Sequence, residues 1–293
     1  MTLSKQHEVV QYIDDSSSII AFQDIQDIHN YLSLYIDILQ NYYAMNLLKM
    51  NKCKTILLLA SCKKSENLTL KIKIDNELII SQKQIKILGS QITSDISPVA
   101  DFNKTIQICN SNLSKLIKIQ KHLNPKTRAI FVKSYVLSRL QYMAFSYVNL
   151  PEYVIQKVRK LIMGSARFCR GNYGFRISCQ DILSEFQLLS AKQFLYNLGL
   201  NVIEKIIQNK KPELIYNMIK KPDRSCKDLR MLRPPISSNI SKINYLPKLL
   251  LFFNSLPSNF KTLDSKKLRK LVGKSLRASP TWDWLKGFPR QYG

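Results

Sequence analysis

The spacing of apolar and polar positions changes character once along this chain, near Pro98. Ahead of it the runs are short and mostly strand-like. Residues 8–13, Glu8-Val9-Val10-Gln11-Tyr12-Ile13, and residues 18–22, Ser18-Ile19-Ile20-Ala21-Phe22, predict two strands. Asp14-Asp15 and the serines that follow predict the turn between them. Asp24 predicts a helix N-cap, with Asp27 in the first turn. Behind it Ile25, Ile28, Leu32, Tyr35, Ile36, Leu39, Tyr42 and Tyr43 recur at helical spacing and predict one buried face. A strand is predicted from Lys54 to Ala60. Leu68, Leu70, Ile72 and Ile74 alternate with Thr69, Lys71 and Lys73, the period of a strand with one wet face. Asp75-Asn76 predicts a hairpin tip and Leu78-Ile79-Ile80 the return. A further strand is predicted from Ile85 to Ile92, through Leu88-Gly89. These elements predict an α+β layer with a mainly antiparallel sheet.

Beyond Pro98 the period is helical. Ile106, Leu113, Leu116 and Ile117 mark one helix. Asn124-Pro125 predicts the start of the next, with Val132, Tyr135, Val136, Leu140 and Met143 on its apolar face. Pro151 opens another that runs past Arg159 and Lys160 towards Gly164. Residues 178–220 predict two more, 222–244 a loop rich in Pro, Ser and basic residues, and the segments 248–253 and 265–276 a last helical pair.

Composition changes this picture in one respect. The chain has 293 residues, 45 Lys plus Arg and 20 Asp plus Glu, a formal charge of +25. Residues 1–100 hold 10 basic and 10 acidic side chains, so the whole excess lies in 101–293, where 35 basic face 10 acidic. A basic part joined to a neutral part predicts a polyanion partner. Apolar content of 45% argues against a disordered polycation. No apolar run approaches the ~20 residues of a membrane span. Met1 to Val10 carries no signal-like apolar core, so the expectation is an intracellular protein, nuclear or cytoplasmic and not secreted. Six cysteines stand without a Cys-x-x-Cys pair, which argues against a zinc knuckle.

Tyr12-Ile13-Asp14-Asp15 is the sharpest chemical feature. Adjacent carboxylates at a hairpin tip suit Mg²⁺, which takes carboxylate oxygens and shares them with phosphates. Two such ions can clamp the attacking and leaving oxygens of phosphoryl transfer. A solvated turn is the ordinary alternative for such a pair. After the long helix comes Asn46-Leu47-Leu48-Lys49-Met50-Asn51-Lys52-Cys53-Lys54-Thr55, and later Lys86-Ile87-Leu88-Gly89. In this order the segments resemble the reverse transcriptases, most closely those of non-LTR retrotransposons. Tyr12 to Asp15 is similar to the family's Tyr-x-Asp-Asp motif, Asn46 to Thr55 to its N-x-L-x-x-N-x-x-K-T block, and Lys86 to Gly89 to its primer-grip strand. Thr127-Arg128-Ala129 through Leu140-Gln141-Tyr142, and Phe253-Asn254-Ser255-Leu256-Pro257, resemble later blocks of such elements. The resemblance spans residues 8–277.

The resemblance implies an RNA-directed DNA polymerase, a nucleotidyltransferase using Mg²⁺ or Mn²⁺. Asp14 and Asp15 would be metal-ligating carboxylates, and Tyr12 would line the site near the primer end. Lys54 would sit near the departing pyrophosphate, and Leu88 and Gly89 would support the primer strand. The ordinary alternatives are a strand-edge lysine at 54 and a core leucine at 88. The implied division is a partial palm over 1–97, a thumb-like helical region over 98–176 and a basic helical tail over 177–293. The family's palm needs a further upstream aspartate, and Met1 to Gln11 contain none. The expectation is therefore a truncated polymerase, inactive by itself, with the missing upstream segment as a possible partner. A non-catalytic nucleic-acid-binding remnant is the alternative, and an unrelated helical interaction protein a third reading.

The candidate duplex contacts are Lys115, Lys118, Lys121, Lys126 and Arg128, then Arg159, Lys160, Arg167 and Arg170, with Phe168, Tyr173 and Phe175 interleaved for stacking. A solvated lysine-rich surface is the alternative, and Lys outnumbers Arg by 33 to 12.

Overall fold

The computed structural model describes residues 7–12, 15–22, 25–60, 69–74, 77–142, 144–147, 150–171 and 179–220, with 230–231, 250, 253–254, 256, 267 and 270–272. The fold is α+β, with small two-stranded ribbons and a majority of helix. It divides into two units: residues 1–87 with 93–95, and 88–92 with 96–293.

In the first unit, β1 (His7–Tyr12) and β2 (Asp15–Ile20) pair antiparallel, with Tyr12 opposite Asp15. The hairpin is tighter than the sequence suggests. Ser16, Ser17 and Ser18 lie inside β2 and not in the turn. The hydroxyls of Ser16 and Ser18 have partners on α1 (Ile25–Met45). Ser16 and Tyr43 share a hydrogen bond of 3.3 Å, and Ser18 and Tyr35 one of 2.6 Å. The expected N-cap Asp24 lies outside the described residues.

The α1 helix also packs on β3 (Lys71–Ile74), which pairs with β4 (Glu77–Ile80). Ile36 meets Leu70, Ile72 and Ile74, each at most 8% exposed, with Ile28, Leu32, Leu57, Leu59 and Ile79 around them. The predicted alternation is seen directly, since Lys71 and Lys73 face water while Ile72 and Ile74 are buried. Two expectations need correction. Residues 54–60 do not form a strand: Lys52–Lys54 is a 3₁₀ turn, and Leu58 makes a single parallel bridge to Gln82. Their side chains keep the period of two, with Leu57 and Leu59 against the core and Ile56 exposed, but the backbone lacks a continuous partner. Nor is 85–92 one strand. It is β5 (Gln84–Ile87) and β6 (Ser90–Thr93), paired across Leu88-Gly89. Leu88 (φ 47) and Gly89 (φ 89) are both left-handed, as a two-residue turn matching strand twist requires. The expected single sheet is accordingly a set of separate ribbons.

The second unit is built on α2 (Val99–Lys118), α3 (Pro125–Phe131) with its continuation, α6 (Glu152–Arg170) and α8 (Ala191–Asn209). Asn124 caps α3 by accepting from the Thr127 N–H at 2.8 Å, with Pro125 at the first position, as its sequence predicts. The helix continues through a π segment, Val132–Leu137, into α4 (Ser138–Gln141); α5 (Ala144–Tyr147) follows. Phe102, Ile106, Cys109 and Leu113 of α2 pack with Val132, Val136 and Leu140, with Val154, Val158 and Ile162 of α6, with Ile182 of α7 (Cys179–Glu185) and Phe186 just after it, and with Phe194 and Leu198 of α8. The α6 helix runs on past Gly164 and stops at Gly171, whose φ of 82 is the left-handed C-terminal stop. Gly164 is a close-approach position instead, because a Cβ there would meet Leu113 Cδ2 at 3.4 Å. Ser190 and Gln193 form a capping box at α8, a Ser-x-x-Gln signal that hydropathy reading passes over. Short elements close the description: α9 (Glu213–Asn217), and β7 (Ile219–Lys220) paired with β8 (Arg230–Met231).

Two buried polar groups explain why the π segment sits where it does. The Cys109 thiol donates to the Val136 carbonyl (3.3 Å) and the Asn112 amide to the Tyr135 carbonyl (3.1 Å). A π turn disturbs the α ladder, and α2 supplies the missing partners. Burial pushes the thiols of Cys109 and Cys169 up to about 11 from 9.0, offset in part by Arg139 at the first and by Lys133 and Arg128 at the second. The unfolded chain therefore ionises these thiols first. Their contribution to stability is whole below pH 9.0 and is lost as pH climbs towards about 11. At pH near 8, brief iodoacetamide treatment of the native chain is expected to label exposed Cys53 and spare Cys109 and Cys169, with peptide mapping as the readout. Native labelling of the buried pair would contradict this packing.

Candidate nucleic-acid site

The hairpin that carries Tyr12 and Asp15 is held to α1 by the serine–tyrosine pairs. Ser16, next to Asp15, is the residue bonded to Tyr43. Tyr35 stacks on Tyr31 with ring planes 5° apart, and Phe22 meets Tyr31 edge-on. These aromatics fix the height of β2 on the helix. Asp15 opens β2 and is exposed. Asp14 lies outside the described residues. A Mg²⁺ ion takes several oxygens in near-octahedral geometry. Asp15 offers one carboxylate, and among the described residues no group of three or more His, Cys, Asp or Glu is placed to hold a metal. The described residues thus do not by themselves fit the ion.

The Asn51-to-Thr55 block has a plain backbone role. Asn51 accepts from the Lys54 N–H through both its carbonyl (3.1 Å) and its side chain (3.3 Å), and the Thr55 hydroxyl donates to its carbonyl at 2.9 Å. Asn51 and Thr55 thereby wind the 3₁₀ turn that carries Lys54, whose side chain is exposed. Leu88 and Gly89 are likewise exposed, at a turn and not in the core. The Leu88 carbonyl accepts from the Tyr142 hydroxyl, and the Gln91 N–H donates to Asp101 Oδ1 at 2.7 Å. Both ties belong to the helical unit.

The basic candidates separate into groups. Lys115 and Lys118 lie on the outer face of α2, and Lys104, one residue that sequence reasoning missed, shares that face at i, i+11 and i+14. Lys121 and Lys126 follow in the next turn and at the start of α3. This end of α2 meets the C-terminus of α6: the Gln120 amide donates to the Phe168 carbonyl at 2.8 Å. Lys118 and Lys121 flank Gln120 along the chain, and Arg167 and Arg170 flank Phe168. Arg159 and Lys160 are exposed farther back along α6.

Arg128 stands apart. Its guanidinium donates to the Gln120 carbonyl (3.1 Å) and the Cys169 carbonyl (3.4 Å), so it joins two helix ends. Gly171 leaves it room, since a Cβ there would lie 2.2 Å from Arg128 Nη1. Arg170 is 4.0 Å from Glu185, a partly exposed pair of small energetic weight. Lys118, Arg167 and Arg170 also occupy last helical turns, where a cation complements the helix dipole whatever else it does. Of the aromatics expected to interleave with this cluster, Phe168 is fully buried in the core, and Tyr173 and Phe175 lie outside the described residues. Among the described residues the exposed aromatics are Tyr42, Phe131, Tyr135, Tyr142 and Tyr153.

Comparison with protein-family models, curated proteins and solved structures returned no match. No helix among the described residues is long and apolar enough to cross a membrane.

Proposed function

We propose that these residues are the C-terminal part of an RNA-directed DNA polymerase of the non-LTR retrotransposon type, a palm end followed by a thumb-like helical unit. The observation that carries the reading is the hairpin register, with Tyr12 opposite Asp15 and β2 bonded to the long helix behind it. In this reading Asp14 and Asp15 are carboxylates of a Mg²⁺ or Mn²⁺ site, Lys54 is a cation for the leaving group, and Tyr12, Leu88 and Gly89 face the primer. The partner is an RNA/DNA template–primer duplex in an intracellular setting. The 293 residues contain no aspartate ahead of Tyr12. By themselves they bind the duplex and do not extend the primer.

A second reading, a nucleic-acid-binding protein without catalysis, rests on the exposed basic residues of the helical unit. The two part at the primer terminus. A DNA primer with a photoreactive 3′ nucleotide, annealed to an RNA template, is expected to crosslink to the peptide containing Tyr12 and Asp15. Primer extension with Mg²⁺ or Mn²⁺ is expected to be absent. Crosslinks confined to the helical unit would leave the second reading standing and overturn the first, and templated synthesis by these 293 residues would overturn the claim that they are insufficient.

A further inference from the structure

The outer face of the helix over 125–141 is unusual for a surface. Ile130 is 65% exposed, Phe131 38%, Tyr135 46% and Tyr142 67%. Single exposed apolar residues need no account, but a row of them along one helix face does. The inner face fixes this row. Val132, Val136 and Leu140 are fully buried, and α2 pins the π segment through Cys109 and Asn112. The outer side chains therefore project from a backbone that cannot turn. Between them Ser134 closes onto the Ile130 carbonyl at 2.9 Å and Ser138 onto the Ser134 carbonyl, which takes the polar groups out of competition. At the far end the Tyr142 hydroxyl donates to the Leu88 carbonyl, so the row finishes at the exposed Leu88-Gly89 turn of the same unit.

Charge says what kind of partner fits. Residues 102–151 contain eight Lys and Arg and no acidic residue, and Lys126 and Arg139 are exposed on this helix. Exposed rings on a helix that also carries exposed cations, in a stretch of sequence without acids, suit a polyanion with flat faces. Duplexes bury their base faces, whereas unpaired bases offer them for stacking on aromatic side chains. We infer that the outer face of the 125–141 helix binds single-stranded nucleic acid, with Phe131, Tyr135 and Tyr142 stacking on bases and Lys126 and Arg139 meeting phosphates. Phe131 and Tyr135 are about one helical turn apart, and Tyr142 follows at the C-terminal end of the helix. These steps suit an extended strand. The inference goes beyond the polymerase reading, which concerns the hairpin and a duplex, and stands without it.

The test is fluorescence anisotropy of a labelled 20-nucleotide oligo-dT with the full chain. Tyr135→Ala and Tyr142→Ala are each expected to weaken binding on the order of tenfold. The double Tyr→Phe variant keeps the rings and loses the hydroxyls, so it is expected to bind within about threefold of wild type. The alanine variants should leave the salt slope unchanged, while Lys126→Ala with Arg139→Ala should lower it by about 1.4. All four positions are exposed, and matching thermal melts show that the fold is intact. Wild-type affinity in both Tyr135→Ala and Tyr142→Ala overturns the inference. So does an unchanged oligonucleotide affinity with a shift from dimer to monomer in sedimentation, which makes the face a contact between copies. Loss of binding to anionic lipid vesicles with oligo-dT affinity retained also overturns it. Failure of duplex binding beside intact oligo-dT binding would count against the polymerase reading alone.

Discussion

Asp101→Ala is expected to destabilise the helical unit by on the order of 3 kcal/mol. Asp101 is 5% exposed and sits in the first turn of α2. One carboxylate oxygen accepts from the Gln91 N–H at 2.7 Å and the other from the Tyr147 hydroxyl at 2.7 Å. Tyr147 is itself 1% exposed, shares a hydrogen bond with Thr105 at 3.0 Å and meets the Phe102 ring edge-on at 4.9 Å. Burial, with the neighbouring carboxylate adding to it, drives the Tyr147 phenol well above the usual tyrosine range. Tyr147 is therefore the donor to Asp101 around neutral pH. Hydrogen bonds to a charged acceptor contribute about 1.5–3 kcal/mol each, and alanine removes both acceptors together. Asp101→Asn keeps the shape and one acceptor, so it should lose about half as much. Urea unfolding followed by circular dichroism measures both. A midpoint equal to that of wild type in Asp101→Ala would mean that water already satisfies these groups. The functional consequence concerns the Leu88-Gly89 turn, which the Asp101 and Tyr142 bonds tie to the helices.

Much of this arrangement is legible in the sequence, for reasons that can be named. The period-two run at 70–74 and the Asn124-Pro125 start carry their structure locally, and both stand where spacing places them. Residues 54–60 have the same local signature as a strand, but a strand also needs a neighbour, and nothing in the run itself says whether one exists. The Leu88-Gly89 break is hidden because leucine rarely takes φ 47. The glycine was the available signal, and the flanking β-branched residues masked it. Arg128 illustrates the limit at the candidate site. In sequence it is one more cation in a basic run. In the fold two helix ends converge on it, and both carbonyls are supplied by residues distant along the chain or facing away from it in pattern. Phe168 is the reverse case: its place between cations suggests exposure, yet helix phase turns it inward. Asp101 had no signal beyond a lone acid at the head of a basic stretch.

The second large effect concerns salt. Lys118 and Lys121 lie beside Gln120 where α2 ends against α6, Lys126 lies in the first turn of α3, Arg167 and Arg170 lie in the last turn of α6, and Arg159 and Lys160 are exposed along α6. A surface that neutralises about six phosphates releases that many counterions, and its affinity falls by roughly a thousandfold between about 50 and 200 mM salt. Replacing Lys118, Lys121 and Lys126 together by alanine removes three contacts and should lower the slope by about 2.7. Arg128→Ala should leave the slope nearly unchanged and lower the melting temperature, because its guanidinium serves backbone carbonyls.

The central claim is that the helical unit grips a nucleic-acid backbone. Its most direct test is a salt titration of the 293-residue chain binding an RNA–DNA hybrid duplex, plotted as log affinity against log salt. The expected result is a straight line with a slope of about −5 or steeper, flattened by the triple lysine variant and not by Arg128→Ala. A shallow line that the lysine substitutions do not change would contradict it.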